Sequence, residues 1–138
     1  MILPITLTIA GAAALLNLWI AQRVGRLRLA HKVSIGDGGN PALTARMRAH
    51  ANFVEYTPFF LILLALIEMA RGSEVWLWVV AILYILARIA HVFGMDRSNS
   101  KLRMFGIVVT MLALLGLALF AIAIPYLASG RPPSISYT

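Results

Sequence analysis

The chain has 138 residues, of which 61% are hydrophobic and 12% charged, with a mean hydropathy of +0.87. A soluble domain runs about 45–50% apolar and about 25% charged, so this composition excludes an ordinary soluble globule. There is no cysteine, which rules out disulfides, thiolate metal sites and a cysteine nucleophile together, and 12 Lys+Arg against 5 Asp+Glu leave a net charge of +7.

Four apolar stretches account for the excess hydropathy. Each is about 20 residues long, enough to cross a bilayer core of about 30 Å as a helix. The expected fold is all-α: one integral-membrane four-helix bundle over residues 1–128.

The first helix is expected from Ile2 to about Gln22. It has no basic segment before it and its positive charges follow it, so it reads as a retained span rather than a cleaved leader. Pro4 fits the first turn, where a missing N–H costs little, and Trp19 suits the interfacial aromatic belt. Arg23–Lys32 should continue the helix into the headgroup layer with snorkelling cations, until the turn formers Gly36-Asp37-Gly38-Gly39-Asn40-Pro41 break it. The second helix is expected over Pro41–Met69, with Pro41 at the first helical position. Arg71-Gly72-Ser73-Glu74 makes a short external turn, so the second and third helices are antiparallel neighbours. Glu68 and Glu74 flank that turn and are expected in water. Trp76 and Trp78 open the third helix, which should run to Phe93 and be ended by Gly94 and the polar run Asp96–Lys101. The fourth covers Leu102–Leu127, and the tail 129–138 has no packing pattern and is expected to be disordered. Gly11, Gly106 and Gly116 read as close-packing positions, and Asn17 as a hydrogen bond to a neighbouring helix.

The charge is distributed by side. Arg23, Arg26, Arg28, Lys32, Arg46 and Arg48 lie between the first two apolar stretches, and Arg97, Lys101 and Arg103 between the last two. Only Arg71 and Arg131 occupy the alternate positions. This bias places loops one and three in the cytoplasm and both termini outside. The basic charge then reports topology, with anionic membrane lipids as its partner and no role for nucleic acid.

Ionisable residues inside a span are expensive, so each is a functional candidate. Arg48, Asn52 and Glu55 stand at i, i+4 and i+7 and share one face of the second helix, while His50 points about 200° away from Arg48. Tyr84, Arg88, His91 and Met95 line one face of the third. Two readings stand open. Glu55 pairs with Arg88 or Arg48 as an interhelical tie, or the two stripes build a polar pocket for a zwitterionic or anionic ligand. Arg26, Arg28, Arg97 and Arg103 crowd the same membrane side, where only Glu55 and Asp96 are available as acids, and arginine forks suit carboxylates. Three scattered histidines without a carboxylate cluster make no metal site, and His31 reads as solvated.

The run Arg48-Ala49-His50-Ala51-Asn52-Phe53-Val54-Glu55-Tyr56-Thr57-Pro58-Phe59 resembles the second-helix signature of the MAPEG family, the membrane-associated proteins in eicosanoid and glutathione metabolism. Arg26-Leu27-Arg28, Arg88-Ile89-Ala90-His91 and the segment from Arg97 to Arg103 agree with it, and the likeness covers nearly the whole chain. The resemblance implies a homotrimer with glutathione in a cleft between adjacent subunits, open to the cytoplasm. By position Arg26, Arg48, Asn52, Glu55, Tyr56 and His91 would line that cleft. Glu55 would hold the ligand's ammonium and the arginines its carboxylates. Arg103 matches the arginine that polarises the thiol, with Arg97 in the same loop as the alternative. Met95 stands where many members have a tyrosine, and Ala51 where prostaglandin-synthase-like members have a second arginine. The implied function is a membrane-bound glutathione transferase, with peroxidase activity as a related capacity, acting on lipophilic electrophiles from an inner membrane. The alternatives are a non-catalytic scaffold or lipid-binding protein of the same fold, and a small transporter. The last is disfavoured by a fourth helix without charge between Phe105 and Leu127.

Overall fold

The computed structural model describes residues 2–128 and contains four helices: α1 (Pro4–His31), α2 (Pro41–Arg71), α3 (Val75–Asp96) and α4 (Ser100–Ala128). All four are long and apolar enough to cross a membrane. The tail expected to be disordered, 129–138, lies outside the described residues.

α1 starts with Pro4 in its first turn and runs unbroken through the basic segment to His31. It stops at Lys32, which takes the left-handed conformation (φ 54°). The following loop turns on Gly36, Gly38 and Gly39, all at positive φ. A side chain at Gly38 would also meet Val33 Cγ2 at 2.7 Å, so this glycine is required twice over. Asp37 braces the turn by accepting the Gly39 N–H at 3.0 Å and the Thr44 hydroxyl at 2.9 Å. These two donors hold its carboxyl below the ordinary aspartate range. Asn40 then caps α2, its Oδ1 accepting from Ala42 N at 2.9 Å and Leu43 N at 3.1 Å.

α2 and α3 form the expected antiparallel pair across the short turn. Phe60 and Tyr84 stack between them, ring centroids 3.7 Å apart and nearly parallel. Buried Ile5, Leu64, Leu77 and Leu117 close one half of the core, and Ala13, Ile20, Phe53 and Val92 the other. Asn17 on α1 meets His50 on α2, Oδ1 to Nε2 at 3.0 Å, which is the interhelical bond expected of Asn17.

Three expectations are corrected here. Glu68 is not in water. It is 2% exposed and accepts four hydrogen bonds, from Ile5 N (3.0 Å), Thr6 N (2.8 Å), Thr6 Oγ1 (2.7 Å) and Ser73 Oγ (2.6 Å). The first turn of α1 has orphan N–H groups and the positive end of a helix dipole, and no side chain at the N-cap Leu3 serves them. A carboxylate from α2 supplies the missing acceptor. Gly94, for its part, does not end α3, which continues to Asp96. It is buried because the α4 backbone lies against it, and a Cβ there would come within 2.9 Å of Arg103 Cα. Gly106 is the reciprocal contact on α4, where a Cβ would meet His91 Cβ at 2.6 Å and Ala87 O at 2.7 Å. Gly11 and Gly116, expected to pack closely as well, have nothing within 4 Å inside the subunit.

Candidate functional site

The α3–α4 approach buries a polar layer that α2 completes. Arg88 on α3 is fully buried. Its Nη1 donates to Thr110 Oγ1 on α4 at 3.2 Å, and its Nη2 to Asn52 Oδ1 on α2 at 2.5 Å. The Phe53 ring lies 5.9 Å from the guanidinium carbon. One turn along, the hydroxyls of Thr57 and Tyr84 meet at 3.1 Å. Arg88 Nε and His91 Nδ1 are buried without a hydrogen-bond partner among the described residues. The expected face Tyr84–Arg88–His91 is therefore a single buried face, with Met95 half-buried at its end.

Asn52 is half-buried, and its orientation follows from Arg88. A guanidinium only donates, so the amide oxygen must face it, and the NH2 group is left to point elsewhere. Tyr56, one turn further along α2, is half-buried and within electrostatic reach of Arg88.

Glu55 and Arg48 stand on the outer edge of the same helix. Both are exposed, and neither has a hydrogen-bond or ion-pair partner among the described residues. The interhelical tie of Glu55 to Arg88 or Arg48 is therefore not formed. The two terminal nitrogens of Arg88 are instead taken by the neutral acceptors Thr110 and Asn52, and its Nε stays without a partner among the described residues. The other four acids are all engaged. Asp37 braces its loop, Glu68 caps α1, Glu74 accepts from Trp76 Nε1 at 2.7 Å, and Asp96 pairs with Arg23 and lies 3.7 Å from Arg46 Nε. Glu55 is the one carboxylate of five left without a partner among the described residues.

His91 is 3% exposed, wedged against Gly106 and within electrostatic reach of both Arg88 and Arg103. The Arg103 backbone is fixed by its packing on Gly94 and by a bond from its N–H to Asn99 O at 3.1 Å, while its side chain is exposed. Arg26 is exposed and donates to Gln22 Oε1 at 3.2 Å, one turn back along α1, and no hydrogen bond or ion pair among the described residues joins it to the Arg88 layer. Arg28 braces the first loop, donating to Gly36 O at 2.8 Å. Arg97 lies over the Phe93 ring at 5.6 Å.

The structure thus brings Asn52, Tyr56 and His91 around Arg88, sets the exposed Arg103 within electrostatic reach of His91, and leaves Arg26, Arg48 and Glu55 on the surface. Thr110 was not anticipated. The available signal was a lone hydroxyl in the apolar run of α4 between Phe105 and Pro125.

The family model described as the MAPEG family matches residues 6–123. Inner membrane protein YecN of Escherichia coli (strain K12) is 35% identical over 107 residues, covering 77% of this chain and 81% of that protein. The protein of the same name from Escherichia coli O6:H1 matches to the same extent.

Proposed function

This chain belongs to the MAPEG family, and from that premise we propose that it is a multi-pass inner-membrane glutathione transferase acting on lipophilic electrophiles. The observation that carries the reading is Glu55, one turn from Asn52 and without a partner among the described residues, as are the side chains of the cations Arg48 and Arg103. Glutathione is complementary to that set. Its ammonium matches the one free carboxylate, and its two carboxylates match guanidinium forks and the Asn52 amide NH2.

The exposure of Glu55, Arg48 and Arg26 fits a cleft completed by a second copy of the chain in a homotrimer, with loops one and three toward the cytoplasm. In that cleft Glu55 holds the ammonium and Arg26, Arg48 and Asn52 hold carboxylate or carbonyl oxygens. Tyr56 and His91 form the wall, and Arg103 faces the sulfur. A free thiol with a pKa near 8.5 is only about 3% thiolate at pH 7. A guanidinium beside it that lowers the pKa by about two units contributes about 2.7 kcal/mol. The thiolate attacks an electrophilic carbon arriving through the bilayer, a C–S bond forms, and the displaced electron pair leaves with the leaving group. The same activated thiolate suits the reduction of lipid hydroperoxides.

One observation favours a non-catalytic scaffold or lipid-binding role. Met95 packs against the apolar cluster of Ala13, Ile20 and Val92, and offers no hydroxyl to the sulfur. The deciding experiment is glutathione binding to the detergent-solubilised protein, followed by conjugation of a generic aromatic electrophile. Binding with turnover supports the transferase, and binding without turnover supports the scaffold. No binding removes the glutathione site.

A further inference from the structure

The cytoplasm-proposed end of α1 carries a second polar–apolar feature unrelated to the Arg88 layer. At about 1.5 Å per residue, the 28 residues of α1 span about 42 Å, so roughly two turns extend beyond a hydrocarbon core of about 30 Å. Those turns hold Gly25, Arg28 and Leu29 at i, i+3 and i+4, one face of the helix, and Lys32 is the cap that ends it. With Val33 and Ser34 of the returning loop they enclose a depression of about 560 Å³. Arg26 lies about 200° from Arg28 around the helix and belongs to another face.

The depression is built rather than incidental. Its floor is open because Gly25 has no atom within 4 Å of where a Cβ would stand. Its far wall is fixed: Val33 N donates to Arg28 O at 3.0 Å, Arg28 Nη1 donates to Gly36 O at 2.8 Å, and Val33 packs on Gly38. Lys32 sits at the rim in a left-handed backbone conformation, its N–H bonded to Leu29 O at 3.3 Å, and its ammonium has no hydrogen-bond or ion-pair partner among the described residues. The nearest acid in sequence, Asp37, is committed to Gly39 and Thr44. Both cations line the depression without a counter-charge, Lys32 with a free ammonium and Arg28 with its guanidinium held only by the neutral acceptors Gly36 O, Ser34 O and Met47 Sδ. Beside them Leu29 is 83% exposed, and Ile35 in the same loop 89%.

We infer that this groove holds an anionic phospholipid, its phosphodiester on Lys32 and Arg28 and its upper acyl chain against Leu29. Charge complementarity calls for an anion. The exposed leucine calls for hydrocarbon, and the height set by the length of α1 places both at the headgroup layer, where one molecule supplies them together. The assignment is independent of the glutathione reading.

The test is native mass spectrometry of the delipidated full chain in mild detergent, with equimolar phosphatidylglycerol and phosphatidylcholine of matched chains. Phosphatidylglycerol should be retained about five-fold or more over phosphatidylcholine, the factor for about one lysine at a membrane surface. Lys32→Gln should reduce its retention about five-fold. Leu29→Ser should reduce retention of both lipids without changing their ratio. Lys101→Gln removes the same charge from loop three and should leave the preference intact. Three outcomes overturn the site: equal retention of the two lipids, a Lys101→Gln effect as large as that of Lys32→Gln, or full displacement of phosphatidylglycerol by inorganic phosphate or an acidic peptide.

Discussion

Arg88 Nη2 lies 2.5 Å from Asn52 Oδ1, and this contact decides which end of the Asn52 amide is available to anything else. Asn52→Ala strands a buried guanidinium N–H and should destabilise the subunit by about 1.5–3 kcal/mol, read from unfolding in detergent. Asn52→Asp is the sharper probe. A carboxylate keeps Arg88 paired, so the fold should hold, but the outward NH2 donors are gone. Glutathione affinity should fall at least about ten-fold, the loss expected for one charge-assisted bond. An Asn52→Asp protein that binds normally would show that the amide does not touch the ligand.

Glu55 and Arg103 should divide their labour. Glu55→Gln removes the proposed partner of the ammonium, and glutathione affinity should fall roughly ten- to a hundred-fold. Both side chains are exposed and without a partner among the described residues, so neither substitution should disturb folding. Arg103→Ala should weaken binding only modestly but return the thiol pKa toward its free value, read as ultraviolet thiolate absorbance against pH. Turnover at neutral pH should fall and partly recover at higher pH. If Arg103→Ala leaves the bound thiol unchanged, Arg97 becomes the activating candidate.

Glu68→Gln should destabilise the bundle by about 2–3 kcal/mol. Each carboxylate oxygen receives two donors, Ile5 N and Ser73 Oγ on one, Thr6 N and Thr6 Oγ1 on the other. An amide must turn its NH2 toward one of those pairs. Thr6→Val removes one hydroxyl bond and should cost about 1 kcal/mol. Titration with a denaturing detergent would measure both, and an unchanged midpoint for Glu68→Gln would mean that the cap does not hold α1 in place.

Loop one should loosen in acid. Gly39 N–H and the Thr44 hydroxyl depress the folded pKa of Asp37. Its contribution is therefore complete above the ordinary aspartate pKa and is lost as pH falls through the lower folded value. The protection of the Gly39 amide, its exchange rate taken against the intrinsic rate at each pH, should fall in that acid window. In Asp37→Asn the protection should show no such step across the same range.

Spans, turns and candidate residues were legible because their causes are local. Hydropathy periods, Pro4 and Pro41 at helix starts, and the Gly36–Pro41 cluster act within a few residues of themselves. The one-face groupings of Arg48, Asn52 and Glu55, and of Tyr84, Arg88 and His91, follow from 3.6 residues per turn alone. Glu68 misled for the opposite reason. Its neighbours in sequence are a polar turn, whereas its partners Ile5 and Thr6 are more than 60 residues away.

The sequence by itself determined that this is a helical membrane protein with four spans, and its second-helix signature pointed to the family. Only the tertiary structure decided which polar residues satisfy one another. Arg88 could have met Glu55 by spacing, yet the close α3–α4 approach at Gly94 and Gly106 carries it to Thr110 and Asn52. Periodicity fixes the face a side chain occupies, while the partner across that face depends on how helices rotate and close on each other. That closure leaves Glu55 without a counter-ion among the described residues, because the backbone contact at two glycines draws α3 onto α4 and buries Arg88 against neutral acceptors.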